Sequence, residues 1–232
     1  MKLQPEQEYL PHISYDTVIF GFCGEQLKVL LLKYRTTGHH ALPGGFVKKT
    51  EDLEDAVCRG LRERTGLRNI YLEQFHTFGS RKRQDTSFMR TVLRANGMDP
   101  EPDYFMLDRF ISVAYYALIN YEEVNPQPDD MSDSIGWHDV AHLPELALDH
   151  REITDLALQT LRENLDRKLV GRNLLPERFT MKELQQVHEA ILGEPLRRTT
   201  FQRKMLSLDI LERHEKFYSG KAHKAPYLYS FK

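Results

Sequence analysis

Residues 45–67 read G-F-V-K-K-T-E-D-L-E-D-A-V-C-R-G-L-R-E-R-T-G-L, a run dense in acids and bases at helical spacing. Gly60, Glu63 and Arg64 stand at i, i+3 and i+4, so on a helix they share one face about a turn deep. Three carboxylates placed that way form a hard oxygen cluster for magnesium or manganese, which bridges to substrate phosphates. This chain supplies a glycine, a glutamate and an arginine instead, and an arginine repels a divalent cation. A glycine in mid-helix also costs about 1 kcal/mol relative to alanine. Glu51, Glu54 and Asp55 are near enough in sequence to join Glu63 in a rearranged ligand set, so metal binding stays open beside a face whose charge disfavours it.

The segment resembles the box of the Nudix hydrolases, whose pattern runs G, five residues, E, seven residues, then R-E-U-x-E-E-x-G-U, with U aliphatic. Gly45, Glu51, Arg59, Leu61, Glu63, Gly66 and Leu67 fall on that pattern, preceded by Leu42-Pro43-Gly44-Gly45. Two positions depart from it: Gly60 and Arg64 stand where the family has metal-binding glutamates. The resemblance implies a box that has kept its geometry and lost its metal, with no cofactor and no catalytic residue. It also implies an α/β/α sandwich with a mixed sheet over roughly residues 14–150.

The rest of the chain sets the frame. A length of 232 residues with 41% hydrophobic content is enough for one large or two small packed domains. No apolar run reaches membrane-spanning length, and the first residues, M-K-L-Q-P-E-Q-E, lack a basic-then-apolar export pattern. Cys23 and Cys58 are the two cysteines, read as buried reduced thiols of a cytoplasmic protein. From Arg172 to Lys232 the chain has 12 Lys and Arg against 7 Asp and Glu, a balance of +5; the remainder has 20 against 27, a balance of −7. An acidic body with a basic tail points to a tail that meets a polyanion, or to a chance difference between two small units.

Residues 15–22 and 27–34 are β-rich and flank Cys23-Gly24-Glu25-Gln26, a hairpin signature. A helix over residues 52–65 follows, closed by Gly66. Further strands are expected over 70–78 and 109–119, and a short one over 134–138 bears Trp137. A helix over 152–165 has Ile153, Leu156, Leu158 and Leu161 as its apolar positions. Between residues 79 and 109 lies a polar connection with a helical patch, Phe88-Met89 and Val92-Leu93, opened by the basic triplet Arg81-Lys82-Arg83 and closed by a breaker run from Asn96 to Pro102. Such a triplet reads as a solvated face. The length of the segment reads as functional or disordered, and the Nudix resemblance implies a shorter connection.

Asn173-Leu174-Leu175-Pro176 opens a new unit. Thr180 and Glu183 make a capping box ahead of Leu184, Val187 and Ile191, and the helix stops at Gly193. A short connection leads through Arg197-Arg198 to a second helix with Thr199, Thr200, Phe201, Met205 and Leu208, whose exposed face carries Gln202, Arg203 and Lys204. Two helices joined by a short turn, the second basic at its start, match a helix-turn-helix; a small helical-hairpin cap is the other reading. Residues 210–213 and 226–231 pair as strands around a loop holding Lys221 and Lys224, a wing.

The failed box followed by L-L-P-E-R-F-T-M-K-E-L-Q-Q-V-H-E-A-I-L-G-E-P-L, then F-Q-R-K at 201–204 and L-Y-S-F at 228–231, resembles the Nudix-related transcriptional regulators of bacteria. That resemblance implies a sensor domain over 1–168 and a winged helix-turn-helix over 169–232 that binds double-stranded operator DNA as a homodimer. It implies an effector such as ADP-ribose, a related nucleotide sugar or a pentose sugar. Thr199, Thr200, Gln202, Arg203 and Lys204 are the candidate reading group, with Arg197, Arg198, Lys221 and Lys224 holding the phosphate backbone. Lys224 stands where the family wing has an arginine, a point charge in place of a bidentate fork. Arg35, His39, Arg59, Glu63 and Arg64 are the candidate effector contacts in the former substrate cleft, with His40 beside them. The alternative is a hydrolase of nucleoside diphosphate derivatives whose tail serves dimerisation.

Overall fold

Alternation along three strands sets the layers. In β1 (Tyr9–Cys23), Val18 and Phe20 face one side of the sheet and Tyr15 and Ile19 the other. In β2 (Gln26–Tyr34), Val29 and Leu31 oppose Leu30. In β6 (Ile111–Asn120), Ala114, Tyr116 and Leu118 oppose Tyr115, Ala117 and Ile119. Both faces are buried, which is why these strands read as near-continuous apolar runs. The computed structural model describes residues 8–23, 25–68, 70–121, 124–165, 171–217 and 225–232.

The seven-stranded sheet runs β3 (His40–Ala41), β2, β1, β6, β5 (Tyr71–Phe78), with β4 (Gly44–Lys48) paired to β1 and β7 (Ser132–Asp139) to β2. Its centre is the parallel pair β1 and β6, in register from Ile13 opposite Ile111 to Phe22 opposite Asn120. The other pairings are antiparallel. One face is covered by helix α1 (Leu53–Thr65) through Ala56, Val57 and Leu61. The other is covered by α3 (His150–Asn164) through Ile153, Ala157 and Leu161. The expected sandwich with a mixed sheet is present. Among the described residues no helix is long and apolar enough to cross a membrane.

The structure departs from the sequence reading in several places. Strands β3 and β4 are additional; β4 begins with Gly44 and Gly45, residue types that weaken any strand signal. Gly24 of the predicted hairpin lies outside the described residues. The 79–109 connection is ordered around helix α2 (Thr86–Ala95), whose N-cap Asp85 accepts a 2.9 Å hydrogen bond from the Phe88 amide and whose Val92 and Leu93 are fully buried. Of its basic triplet, Arg81 and Lys82 are exposed as expected, whereas Arg83 is buried. Cys58 is exposed on α1 rather than buried, because it sits on the side of the helix away from Ala56, Val57 and Leu61; Cys23 is half-buried and both thiols are free.

The tail contains α4 (Gly171–Leu174), β8 (Phe179–Thr180), α5 (Met181–Leu192), α6 (Arg198–Ser207), β9 (Leu211–Lys216) and β10 (Tyr227–Phe231), with the strands ordered β8-β10-β9. The capping box is formed: the Thr180 hydroxyl accepts from the Glu183 amide at 3.2 Å and the Glu183 carboxylate accepts from the Thr180 amide at 2.6 Å. Leu208 is not part of the core; it caps the end of α6 and is exposed, while Phe201 and Met205 bury the helix. Leu174, Leu184, Val187, Ile191 and Phe201 belong to the same hydrophobic cluster as Val18 and Ile153, so tail and body share one core. The join near residue 168, and the wing loop with Lys221 and Lys224, lie outside the described residues.

Candidate functional site

A cavity of about 330 Å³ opens between β1, β4, α1 and the 79–109 segment, within the size range that holds a small metabolite. Its lining includes the apolar Phe46, Phe110, Met89, Met106 and Leu148, with the Phe46 ring centroid 5.2 Å from those of both Phe105 and Phe110. It also includes the polar Tyr15, Tyr34, Arg59, Glu63, Arg64, Arg83 and Asp129. A lining that mixes rings and thioethers with guanidiniums and carboxylates suits a ligand with a flat apolar part and a hydroxyl- or phosphate-bearing part.

The box closes on itself. Arg59 donates to both oxygens of Glu51 at 2.7 and 3.1 Å and to the Phe46 carbonyl at 3.1 Å, and lies 3.7 Å from Glu63. The Arg59 hydrogen bonds hold the Glu51 carboxyl below its ordinary range, while Glu51 in turn pushes Arg59 up. Arg64 donates to Asp129 at 3.0 Å, and its Nε is buried without a hydrogen-bond partner among the described residues. Among those residues no group of three or more His, Cys, Asp and Glu gathers as a metal site would. The divalent cation that the fold family implies does not fit: Glu51 is committed to Arg59, Gly60 has no side chain and Arg64 brings positive charge.

The space that a glutamate at position 60 would need is occupied. A Cβ built on Gly60 overlaps the Tyr15 hydroxyl, and one on Gly45 would sit 2.6 Å from it. Tyr15 is 2% exposed, and burial pushes its phenol up to about 12, with Arg59 partly opposing. Gly60 is therefore the residue that the close approach of β1 demands, which offsets its cost in mid-helix.

Below this lies a buried charge network. Asp16 accepts from Arg83 at 3.0 Å and from the Ser112 hydroxyl at 2.6 Å, and Arg83 Nε lies 2.7 Å from Asp149. His150 Nδ1 accepts the Leu42 amide at 3.0 Å, which leaves the Nε2 proton facing Asp16 at 3.6 Å.

Of the five effector candidates, Arg59, Glu63 and Arg64 line the cavity, whereas Arg35 and His39 do not. The reason is that β2 ends at Tyr34, which lines the cavity, while Arg35 begins the turn and lies 3.4 Å from Asp133. His39 follows in the turn, its ring edge-on to Phe88 at 5.3 Å and its Nδ1 3.9 Å from Glu145. His40 faces His138 at 4.9 Å. Sequence reasoning missed Tyr15, Asp16, Arg83 and His150. For Tyr15 a signal existed in the glycines at 45 and 60, which imply a bulky neighbour; for the others no local signal distinguishes them.

On the tail, α6 buries Phe201, edge-to-face with His188 at 4.9 Å, and Met205. Arg197, Arg198, Thr199, Thr200, Arg203 and Lys204 are exposed and Gln202 is half-buried, so the DNA candidates on this helix lie together on its outward side. Behind it, β9 and β10 pair with Phe231 opposite Leu211 and Tyr229 opposite Arg213, the two arms of a wing.

The NUDIX domain model matches residues 12–157, and the model described as the NrtR DNA-binding winged helix domain matches residues 171–231. The chain is 31% identical over 209 residues to the ADPR responsive transcriptional repressor NtrR of Acinetobacter baylyi, covering 87% of this chain and 75% of that protein. Its structure is similar to that of Shewanella oneidensis NrtR complexed with a 27mer DNA, at 30% identity and a TM-score of 0.72, covering 95% of this chain and 93% of the other. It also shares its fold with a MutT/nudix family protein from Enterococcus faecalis, at 23% identity and a TM-score of 0.69, over 96% and 88% of the two chains. The chain belongs to the NUDIX family, and within it to the NrtR-related transcriptional regulators, in which a DNA-binding winged helix domain follows the NUDIX domain.

Proposed function

We propose that this protein is a sequence-specific DNA-binding transcriptional regulator whose NUDIX domain binds a small metabolite and does not hydrolyse it. The observation that carries the proposal is one body holding two features: a NUDIX cavity with Gly60 and Arg64 at the metal positions, and an exposed basic helix on a winged domain. The Acinetobacter baylyi relative is ADPR responsive, and a nucleotide sugar such as ADP-ribose suits a cavity lined by both aromatic rings and guanidiniums. We assign the sensor to residues 1–168 and the DNA-binding unit to 169–232, acting as a homodimer in the cytoplasm. Arg59, Glu63 and Arg64, joined by Arg83, contact the effector. Thr199, Thr200, Gln202, Arg203 and Lys204 read DNA, and Arg197, Arg198, Lys221 and Lys224 hold its backbone.

Control requires the effector to bind the DNA-competent and incompetent arrangements with different affinities. The test is a fluorescence-polarisation titration of DNA from upstream of the protein's own gene neighbourhood, at two salt concentrations, with and without ADP-ribose or a pentose. Tight, sequence-selective, salt-dependent binding that ADP-ribose alters is the expected result; operator affinity indifferent to ADP-ribose and to pentoses removes the sensor role. A hydrolase reading has one support, 26% identity to an ADP-ribose pyrophosphatase of Methanocaldococcus jannaschii over 66% of this chain. It requires magnesium-dependent turnover that Glu63→Gln abolishes.

A further inference from the structure

We infer that Tyr15 replaces, in this cavity, the carboxylate that Gly60 lacks, and that its hydroxyl is a direct hydrogen-bond donor to the bound effector. The inference rests on the effector reading of the same cavity and extends it to a residue outside the box.

Three observations meet at this side chain. Its phenol is seated in a slot between β4 and α1 that two glycines open: a Cβ on Gly60 overlaps the hydroxyl, and one on Gly45 comes to 2.6 Å from the hydroxyl oxygen and 2.9 Å from Cζ. Its ring belongs to the core cluster with Ile19, Val57 and Leu61, so it cannot swing aside without opening that core. Tyr15 is among the residues lining the cavity, and its phenol lies within the field of Arg59, Glu63, Arg64 and Glu51. A side chain at position 60 and a tyrosine at position 15 exclude one another. The departure from the metal-binding pattern at 60 is thus one half of an exchange, the other half being Tyr15.

The exchange has a chemical consequence. A carboxylate face binds an anionic ligand only through a bridging cation. A phenol that stays protonated at neutral pH donates directly to a phosphate oxygen or accepts from and donates to a sugar hydroxyl. With Arg64 beside it, the face becomes a donor surface that holds the effector without metal. The same exchange denies the cavity the cation with which a hydrolase would activate water, so one pair of residues makes the site a receptor.

The test uses the full chain. Calorimetric titration with ADP-ribose, in EDTA and again in magnesium, is run on the wild type and Tyr15→Phe, which keeps the ring and removes the hydroxyl. Thermal melts without ligand are run on Gly60→Glu, Tyr15→Val and the pair. Equal wild-type affinity in EDTA and magnesium is expected, with affinity about tenfold weaker for Tyr15→Phe at nearly unchanged melting temperature, as for loss of one good hydrogen bond. Gly60→Glu alone is expected to melt well below wild type, and Tyr15→Val to restore it in the pair, a non-additive cycle. Wild-type affinity in Tyr15→Phe overturns the donor role; a Gly60→Glu melt equal to wild type overturns the exchange. A wild type that binds ADP-ribose only in magnesium overturns both. A wild type that binds no ADP-ribose, with the melting cycle intact, overturns ADP-ribose as the effector and the donor role toward it while supporting the exchange.

Discussion

Arg83 is a cation in the wrong place for its sequence context. It stands in a basic triplet at the head of a polar connection, yet it is buried between Asp16, at 3.0 Å, and Asp149, at 2.7 Å. Removing one partner of a buried ionic group leaves the others uncompensated, which costs more than the pair contributes. Arg83→Ala is expected to lose about 3–5 kcal/mol in a denaturant melt, and Arg83→Lys to recover only part of it because an ammonium cannot serve two carboxylates in a fork. The facing rings of His40 and His138 predict a pH dependence. Burial, first of all, holds both below the ordinary histidine value, with mutual repulsion adding to it at His40. Both therefore take up a proton less readily in the fold than in the unfolded chain, which does so near pH 6.5. Stability is therefore complete above that value and is lost as pH falls through it. The melting temperature is expected to drop between about pH 7.5 and about pH 5.5, and His138→Phe to flatten that slope.

Helix α3 joins the cavity to the tail. At its start His150 accepts the Leu42 amide and Asp149 meets Arg83; in its last turn Arg162 donates to the Ile191 carbonyl at 2.7 Å. That carbonyl is in the last turn of α5, where carbonyls have no partner within the helix. Arg162→Ala is expected to cost about 1–2 kcal/mol and to weaken DNA binding, since α5 supports α6 through His188 and Phe201; unchanged operator affinity in polarisation counts against that support. Element ends were the most legible part of the chain, because Thr180 with Glu183, Gly66 and Gly193 act through their immediate neighbours. Strands β3 and β4 were illegible for different reasons: β3 is only two residues long although it pairs with nearby β2, and β4 opens on two glycines and pairs with β1 about thirty residues back. The 79–109 connection was legible as unusual; that it supplies Arg83, Gln84, Met89, Met106 and Leu107 to one cavity was not.

At the scale of the molecule, charge and symmetry make the predictions. The basic balance of the tail, +5 from Arg172 onwards, requires operator binding to weaken as salt rises. Arg203→Ala is expected to reduce the salt slope by about one if it contacts a phosphate, or to relax selectivity at one base pair if it reads an edge. Sedimentation is expected to give a dimer, as a palindromic operator would require.

The chain by itself determined the order of units, the box and its two departures, the capping of α5 and the basic outward face of α6. These are short-range matters of spacing, propensity and charge, which a linear pattern carries. Tertiary structure alone decided which side chains meet. Tyr15 comes from β1, Gly60 from α1, Arg83 from the long connection and His150 from α3, and they converge because both faces of one sheet are covered. Arg35 and His39 fell away because both lie in the turn beyond β2, where Arg35 meets Asp133 and His39 meets Phe88 instead of the cavity. Whether a residue reaches a cavity depends on packing between distant segments, and no local pattern encodes that.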